Sequence, residues 1–247
     1  MSNVSLATRF EDYLRRDDFP CVGAKAALSQ GAIEVIEAPD ISSPVSDLDI
    51  YKALSEFGDH LDLTAPVVQS FAIVFSGPDS ISEEQFETFM WNRLQSLHNI
   101  DAAAGETWRS DVDADPESAH FSLCLAGRPY FVVGLHPSAS RPARRFEAPA
   151  LVFNSHEQFE KLRADGRFYQ MQKIIRRNEI KLNGSVNPML ADFGEDREAA
   201  QYSGRLVDKH WNCPFTKKEP LHDASHPAAN RYSIPLGQGR RVDRDRP

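Results

Sequence analysis

The sequence predicts an α+β fold: a mostly antiparallel sheet covered by helices, with an irregular C-terminal third closing over a pocket. Three observations carry this. Short apolar runs bounded by Gly, Pro or Ser lie near positions 70, 121, 130 and 150, and their lengths suit strands. Amphipathic stretches with helical spacing flank these runs instead of alternating regularly with them. From Asn183 to Phe215 glycine turns, aromatics and acids mix with little periodicity, as in segments that wrap a site or a core. At 247 residues the chain suits one large domain. The expected division is a single domain over 1–215 and an extended tail over 216–247, where proline and charge dominate.

In chain order, Val4 to Arg16 sets Leu6, Phe10, Tyr13 and Leu14 on one stripe opposite charges, an amphipathic helix that Phe19-Pro20 ends. Cys21 to Gln30 follows as a second helix, with Pro20 suited to its first turn and Gly31 to its cap. Its small residues Gly23, Ala24, Ala26 and Ala27 admit a flat neighbour, either another helix or the face of a ring. Ala32 to Glu37 is a short strand, and a helix is expected from about Leu48 to Gly58. Ser70 to Ser76 reads as a buried strand ended by Gly77-Pro78. Ser82 with Gln85 opens a strong helix with Phe86, Phe89, Met90, Leu94 and Leu97 inside. His98 is expected in its last turn, where an imidazole serves either a ligand or the helix dipole. Phe121, Leu123 and Leu125 alternate with Ser122, Cys124 and Ala126, Gly127-Arg128 is the expected turn, and Tyr130 to Leu135 returns as the central strand, buried on both faces. Ala150 to Phe153 is a further strand, and Asn154 or Ser155 caps a long helix broken near Gly166.

A formal net charge of -8 disfavours nucleic acid and anionic membrane, whose binding rests on neutralised phosphates, and welcomes a cation. No apolar run approaches the length of a membrane span and the N-terminus has no apolar signal core, so a cytoplasmic location is expected. Cys21, Cys124 and Cys213 are far apart and odd in number, against a disulfide framework or a zinc site. The chain has no P-loop, GxGxxG, HExxH or GxSxG, so the nucleotide, metalloprotease and hydrolase readings lack their minimal parts.

The most suggestive stretch is Tyr130 to Phe146, YFVVGLHPSASRPARRF. Its strand ends at His136, Pro137 stops the ladder, and the loop beyond holds Arg141, Arg144 and Arg145. A ligand-type residue beside three arginines suits a haem, a flavin or a phosphate ester. It equally suits a satisfied strand-end histidine beside a solvated loop. Cys213-Pro214 is a dipeptide found at some haem-iron sites and, more commonly, a buried thiol.

Six segments in order, FPCVGAKAAL, WNRLQSLH, VGLHPSASRPARRF, LVFNSHEQFEKLR, NPMLADFGE and QYSGRLVDKHWNCPF, resemble the YqcI/YcgG family over most of the chain. Family members with assigned activity are haem-dependent N-oxygenases of natural-product pathways. The resemblance implies a monooxygenase that N-hydroxylates a guanidine or amine nitrogen of arginine or an arginine-like substrate. It would use haem b, dioxygen and an external reductant or electron-donor protein; a homodimer stays open. The alternative is a haem-binding sensor or storage protein without turnover. On this reading His136 ligates iron, with His98, His156, Cys213 and His210 as alternatives. Arg141, Arg144 and Arg145 would pair with propionates, and Asp192 and Glu195 would hold the guanidinium.

Overall fold

A computed structural model describes residues 4–189, 191 and 193–221. It is a mixed α+β protein around one five-stranded sheet. The strands are β1 (Ile33–Ala38), β2 (Ser70–Phe75), β3 (Leu123–Leu125), β4 (Arg128–Leu135) and β5 (Ala150–Ser155), in the order β1-β2-β5-β4-β3. β1 and β2 run parallel, and the β2–β5, β5–β4 and β4–β3 pairs are antiparallel. The central strand is therefore β5 and not, as expected, β4.

The helices α1 (Leu6–Arg15), α2 (Val22–Ser29), α3 (Asp47–Asp59), α4 (Glu83–Ala103), α5 (His156–Ala164) and α6 (Arg167–Asn183) cover the sheet. Local chemistry accounts for their ends. Ser82 and Gln85 close a capping box on α4. Ser155 accepts from the Gln158 amide at the start of α5, and Gly166, at φ 77°, divides α5 from α6. The hairpin turn falls one residue earlier than the sequence suggests: Leu125 pairs with Arg128, and the turn is Ala126-Gly127, at φ 51° and 70°. Both left-handed values match the strand twist of a primed turn. α4 runs a turn past expectation, so His98 sits inside it.

The strands' alternation makes two unlike faces. One presents Phe71, Ile73, Phe75, Tyr130, Val132, Leu151 and Phe153 to α3 and α4, all fully buried. The other presents Ala72, Val74, Val133, Leu135, Ala150 and Val152 toward α1 and its neighbours. Beyond the end of β3 the C-terminal segment takes the sheet edge, where Gly134 N–H donates to the Tyr202 carbonyl at 2.8 Å. Beyond Phe215 the described residues run on along α4. Thr216 N–H meets Gln95 and Lys218 N–H meets His98 along α4, and Leu221 N–H meets the Ala102 carbonyl. Among the described residues no helix is long and apolar enough to cross a membrane.

Candidate functional site

β4 explains where the site lies. Tyr130 and Val132 are fully buried, whereas Phe131 and Val133, on the opposite face, are only half-buried. The space before them is a cavity of about 340 Å³, walled by the sheet, α1, α2, α5, α6 and the C-terminal segment. This volume is within the range of small-molecule sites. From α6 the wall is Phe168, Met171, Gln172, Ile175, Arg176 and Glu179, spaced as one helical stripe. From α2 it is Gly23, Ala24 and Ala27. The small residues of α2 serve a close helix crossing as well as the wall: a Cβ on Gly23 would stand 2.8 Å from the Met171 sulfur.

The polar groups lie at two places. At one, His156 lines the cavity with its Nδ1 2.8 Å from Ser122 Oγ and its ring edge-on to Phe193. Burial lowers its pKa below the ordinary imidazole value, which favours the neutral, ligating form. Its Nε2 lies 3.8 Å from Glu160 Oε1. Arg163 ion-pairs with that same Glu160 and covers the Phe193 ring. Glu198, 3% exposed, also lines the cavity. Desolvation pushes its carboxyl up to about 8, with Arg163 opposing. At the other place Glu179 accepts from Arg141 Nη2 at 2.9 Å through Oε1. Its Oε2 is buried with no hydrogen-bond partner among the described residues. Gln201 lines the same region, and its amide nitrogen is likewise unpartnered.

Most residues singled out from the sequence lie elsewhere. His136 ends β4 on the packed face, stacked on Phe86 at 4.3 Å, and does not line the cavity. Burial draws its pKa down to about 4. The reason is strand parity: His136 follows Tyr130, Val132 and Gly134, while the cavity is faced by Phe131, Val133 and Leu135. The three arginines do not converge on an anion. Arg144 is buried and donates to the carbonyls of Gly134, Tyr202 and Gln201, stapling β4 to the C-terminal segment. Arg145 donates to Ala139 and Ser140 in its own loop. Only Arg141 and Arg144 reach the cavity wall. His98 accepts from Lys218 N–H at 2.9 Å among Trp108 and Phe215, and His210 is exposed. The Cys213 thiol, pushed up to about 12 by burial, lies off the cavity wall, unlike Cys21. Glu195 is exposed, and Asp192 lies outside the described residues.

The model of the YqcI/YcgG family matches residues 10–216. This chain belongs to the YqcI/YcgG family. It is 27% identical over 210 residues to "Uncharacterized protein YcgG" of Bacillus subtilis (strain 168), covering 81% of each chain. It is 30% identical over 232 residues to "Putative N(omega)-hydroxy-L-arginine synthase DcsA" of Streptomyces lavendulae, covering 84% of this chain and 82% of that one. No solved structure matches.

For this YqcI/YcgG member, sequence reasoning passed over Ser122, Glu179 and Glu198. Glu179 had a signal: it continues the stripe of Met171 and Ile175 at intervals of four, and a carboxylate in an apolar register asks for a partner. Glu198 had none, being one acid among several in an aperiodic stretch.

Proposed function

We propose that this protein N-hydroxylates a guanidine or amine nitrogen of arginine or an arginine-like substrate, with a haem b held in the cavity, dioxygen as oxidant and an external reductant. One observation carries the reading. A mostly apolar cavity is lined by a neutral, oriented histidine and a buried carboxyl, Glu198. A relative named for arginine N-hydroxylation supports the same substrate class.

The donor set suits a haem. In the tautomer that carries its proton on Nδ1, His156 would donate to Ser122 Oγ and keep its lone pair on Nε2, and such a partner on the far nitrogen is what orients metal-bound imidazoles. His156 thus replaces His136 as the proposed ligand. Arg163 and Arg176, on the cavity wall, would face the propionates. When bound, the haem supplies activation of dioxygen: one oxygen atom ends on the substrate nitrogen and the other leaves as water, with electrons from the reductant. The protein does the rest. Phe121, Phe131, Val133 and Val152 keep water from the reacting nitrogen. Desolvation, which raises Glu198 to about 8, favours its neutral form, and an arriving guanidinium favours the carboxylate, because a planar fork matches its two oxygens. Its proton passes to solvent, and the carboxylate left behind holds and orients the substrate cation.

The test is spectroscopic and chemical. The purified protein supplemented with haem is expected to show a Soret band, and incubation with arginine, reductant and oxygen a product heavier by one oxygen. His156→Ala should lose or shift the band, and Ser122→Ala should weaken cofactor affinity by about 10–100-fold. His136→Ala should leave the spectrum unchanged. A Soret band with no oxygenated product across a guanidine and amine panel would point to a sensor or storage protein. No band at all would overturn the haem reading.

A further inference from the structure

The second polar place in the cavity has no role in the chemistry above. Glu179 is 4% exposed and Gln201 3% exposed; both line the cavity, and each keeps one buried polar atom without a hydrogen-bond partner among the described residues, the Glu179 Oε2 acceptor and the Gln201 Nε2 donor. Arg141 adds a buried Nε with no partner among the described residues, beside the bond from its Nη2 to Glu179 Oε1. Buried polar atoms left without partners are costly and uncommon, and groups kept in that condition at a cavity wall suit a ligand that completes them. Arg144 links the two: it donates to the Gln201 carbonyl and feels the charge of Glu179.

The set has a defined polarity. It offers one carboxylate oxygen as acceptor and two N–H groups as donors, one of them cationic. A lone cation would leave the donors unmet, and a lone anion would leave Glu179 unmet. A zwitterion satisfies both. The 3₁₀ turn Ala199–Gln201 joins this place to Glu198, three residues before Gln201, and spacing by three brings side chains to one side of such a turn. The cavity wall thus carries this mixed set beside Glu198, which lies on the same turn.

We propose that Glu179, Gln201 and Arg141 form a subsite for the head group of an L-α-amino acid, the ammonium on Glu179 Oε2 and the carboxylate on Gln201 Nε2 and Arg141 Nε. This subsite rests on the substrate reading above and sharpens it. It selects free amino acids over amines and over peptides joined through the carboxylate, and it leaves the side chain to extend toward Glu198 and His156. Glu179 and Gln201 are then specificity-determining residues.

Equilibrium binding to the haem-supplemented full-length protein, without reductant, tests this. L-arginine is compared with agmatine, which lacks the carboxylate, and with guanidinopentanoate, which lacks the ammonium. Each loss should weaken binding by about tenfold or more, the value of a charge-assisted hydrogen bond. Glu179→Gln should weaken L-arginine similarly and leave guanidinopentanoate within about twofold; Gln201→Leu should weaken both acids and spare agmatine. The crossed pattern separates recognition from general loss of structure, which would weaken every ligand together. Equal binding of the three ligands by the wild-type protein overturns the subsite, as does failure of every basic L-α-amino acid to bind. If the crossed pattern holds and no oxygenated product forms, the subsite stands and the catalytic reading falls. If agmatine is oxygenated as readily as arginine, catalysis stands and the subsite falls.

Discussion

The two faces of one sheet are built from the same strands and have opposite uses. On the face toward α3 and α4, Tyr130, Val132, Leu151 and Phe153 are sealed among aromatics, and a histidine at the strand end stacks on Phe86. On the other face, Phe131, Val133 and Val152 stand before a cavity edged by charged side chains. The difference teaches that residue type did not choose the site. His136 and His156 are both buried imidazoles of lowered pKa, but one closes a packed core and the other opens on free volume.

The largest effect that separates the faces is on stability. Phe153→Ala should cost about 3–5 kcal/mol in urea unfolding, because the surrounding packing relaxes only in part. Val133→Ala, which enlarges a space already present, should cost under about 1.5 kcal/mol. Equal losses would mean that the cavity face is as tightly packed as its opposite.

A smaller effect comes from Gly134, where a Cβ would meet the Phe86 ring at 2.6 Å. Gly134→Ala should destabilise by about 1–3 kcal/mol, and Phe86→Leu in the same chain should recover part of it. If the double variant is no better than Gly134→Ala alone, the ring is not the obstacle.

A third difference is a pH dependence of opposite sign on the two faces. His136, drawn down to about 4 from 6.5, is neutral when folded and gains a proton when unfolded, so its contribution is lost as pH falls from 6.5 toward 4. Glu198, raised to about 8 from 4.5, keeps a proton in the fold that the unfolded chain releases. Stability from it is lost as pH rises from 4.5 toward 8. Stability curves of His136→Gln and Glu198→Gln, each subtracted from wild type, should slope in these opposite directions; slopes of one sign would break the assignment.

Much of the architecture was legible because it is set locally. The apolar stripe of α1, the Ser82 box of α4, the strands near 70, 130 and 150, and the break at Gly166 each follow from a few adjacent residues whose periods or caps act within a turn or two. The hairpin was legible to within one residue, since both Ala126 and Gly127 adopt left-handed φ and only the glycine announces it. The family, too, could be read from ordered segments along the chain.

What tertiary structure decided was sidedness. The run of residues 141–145 held three arginines, but their directions depend on the distant carbonyls of Tyr202 and Gln201 and on Glu179. No local rule orders those partners. Glu198, Ser122 and His156 reach one cavity wall from an aperiodic segment, the residue before an edge strand and a helix start. Strand alternation makes His136 and Phe131 face opposite ways by geometry, yet which way holds empty space depends on how far α2 and α6 stand from the sheet. That distance is set by packing between elements remote in sequence, so the sequence alone determined the parts and their alternation, and the tertiary fold chose the face that opens.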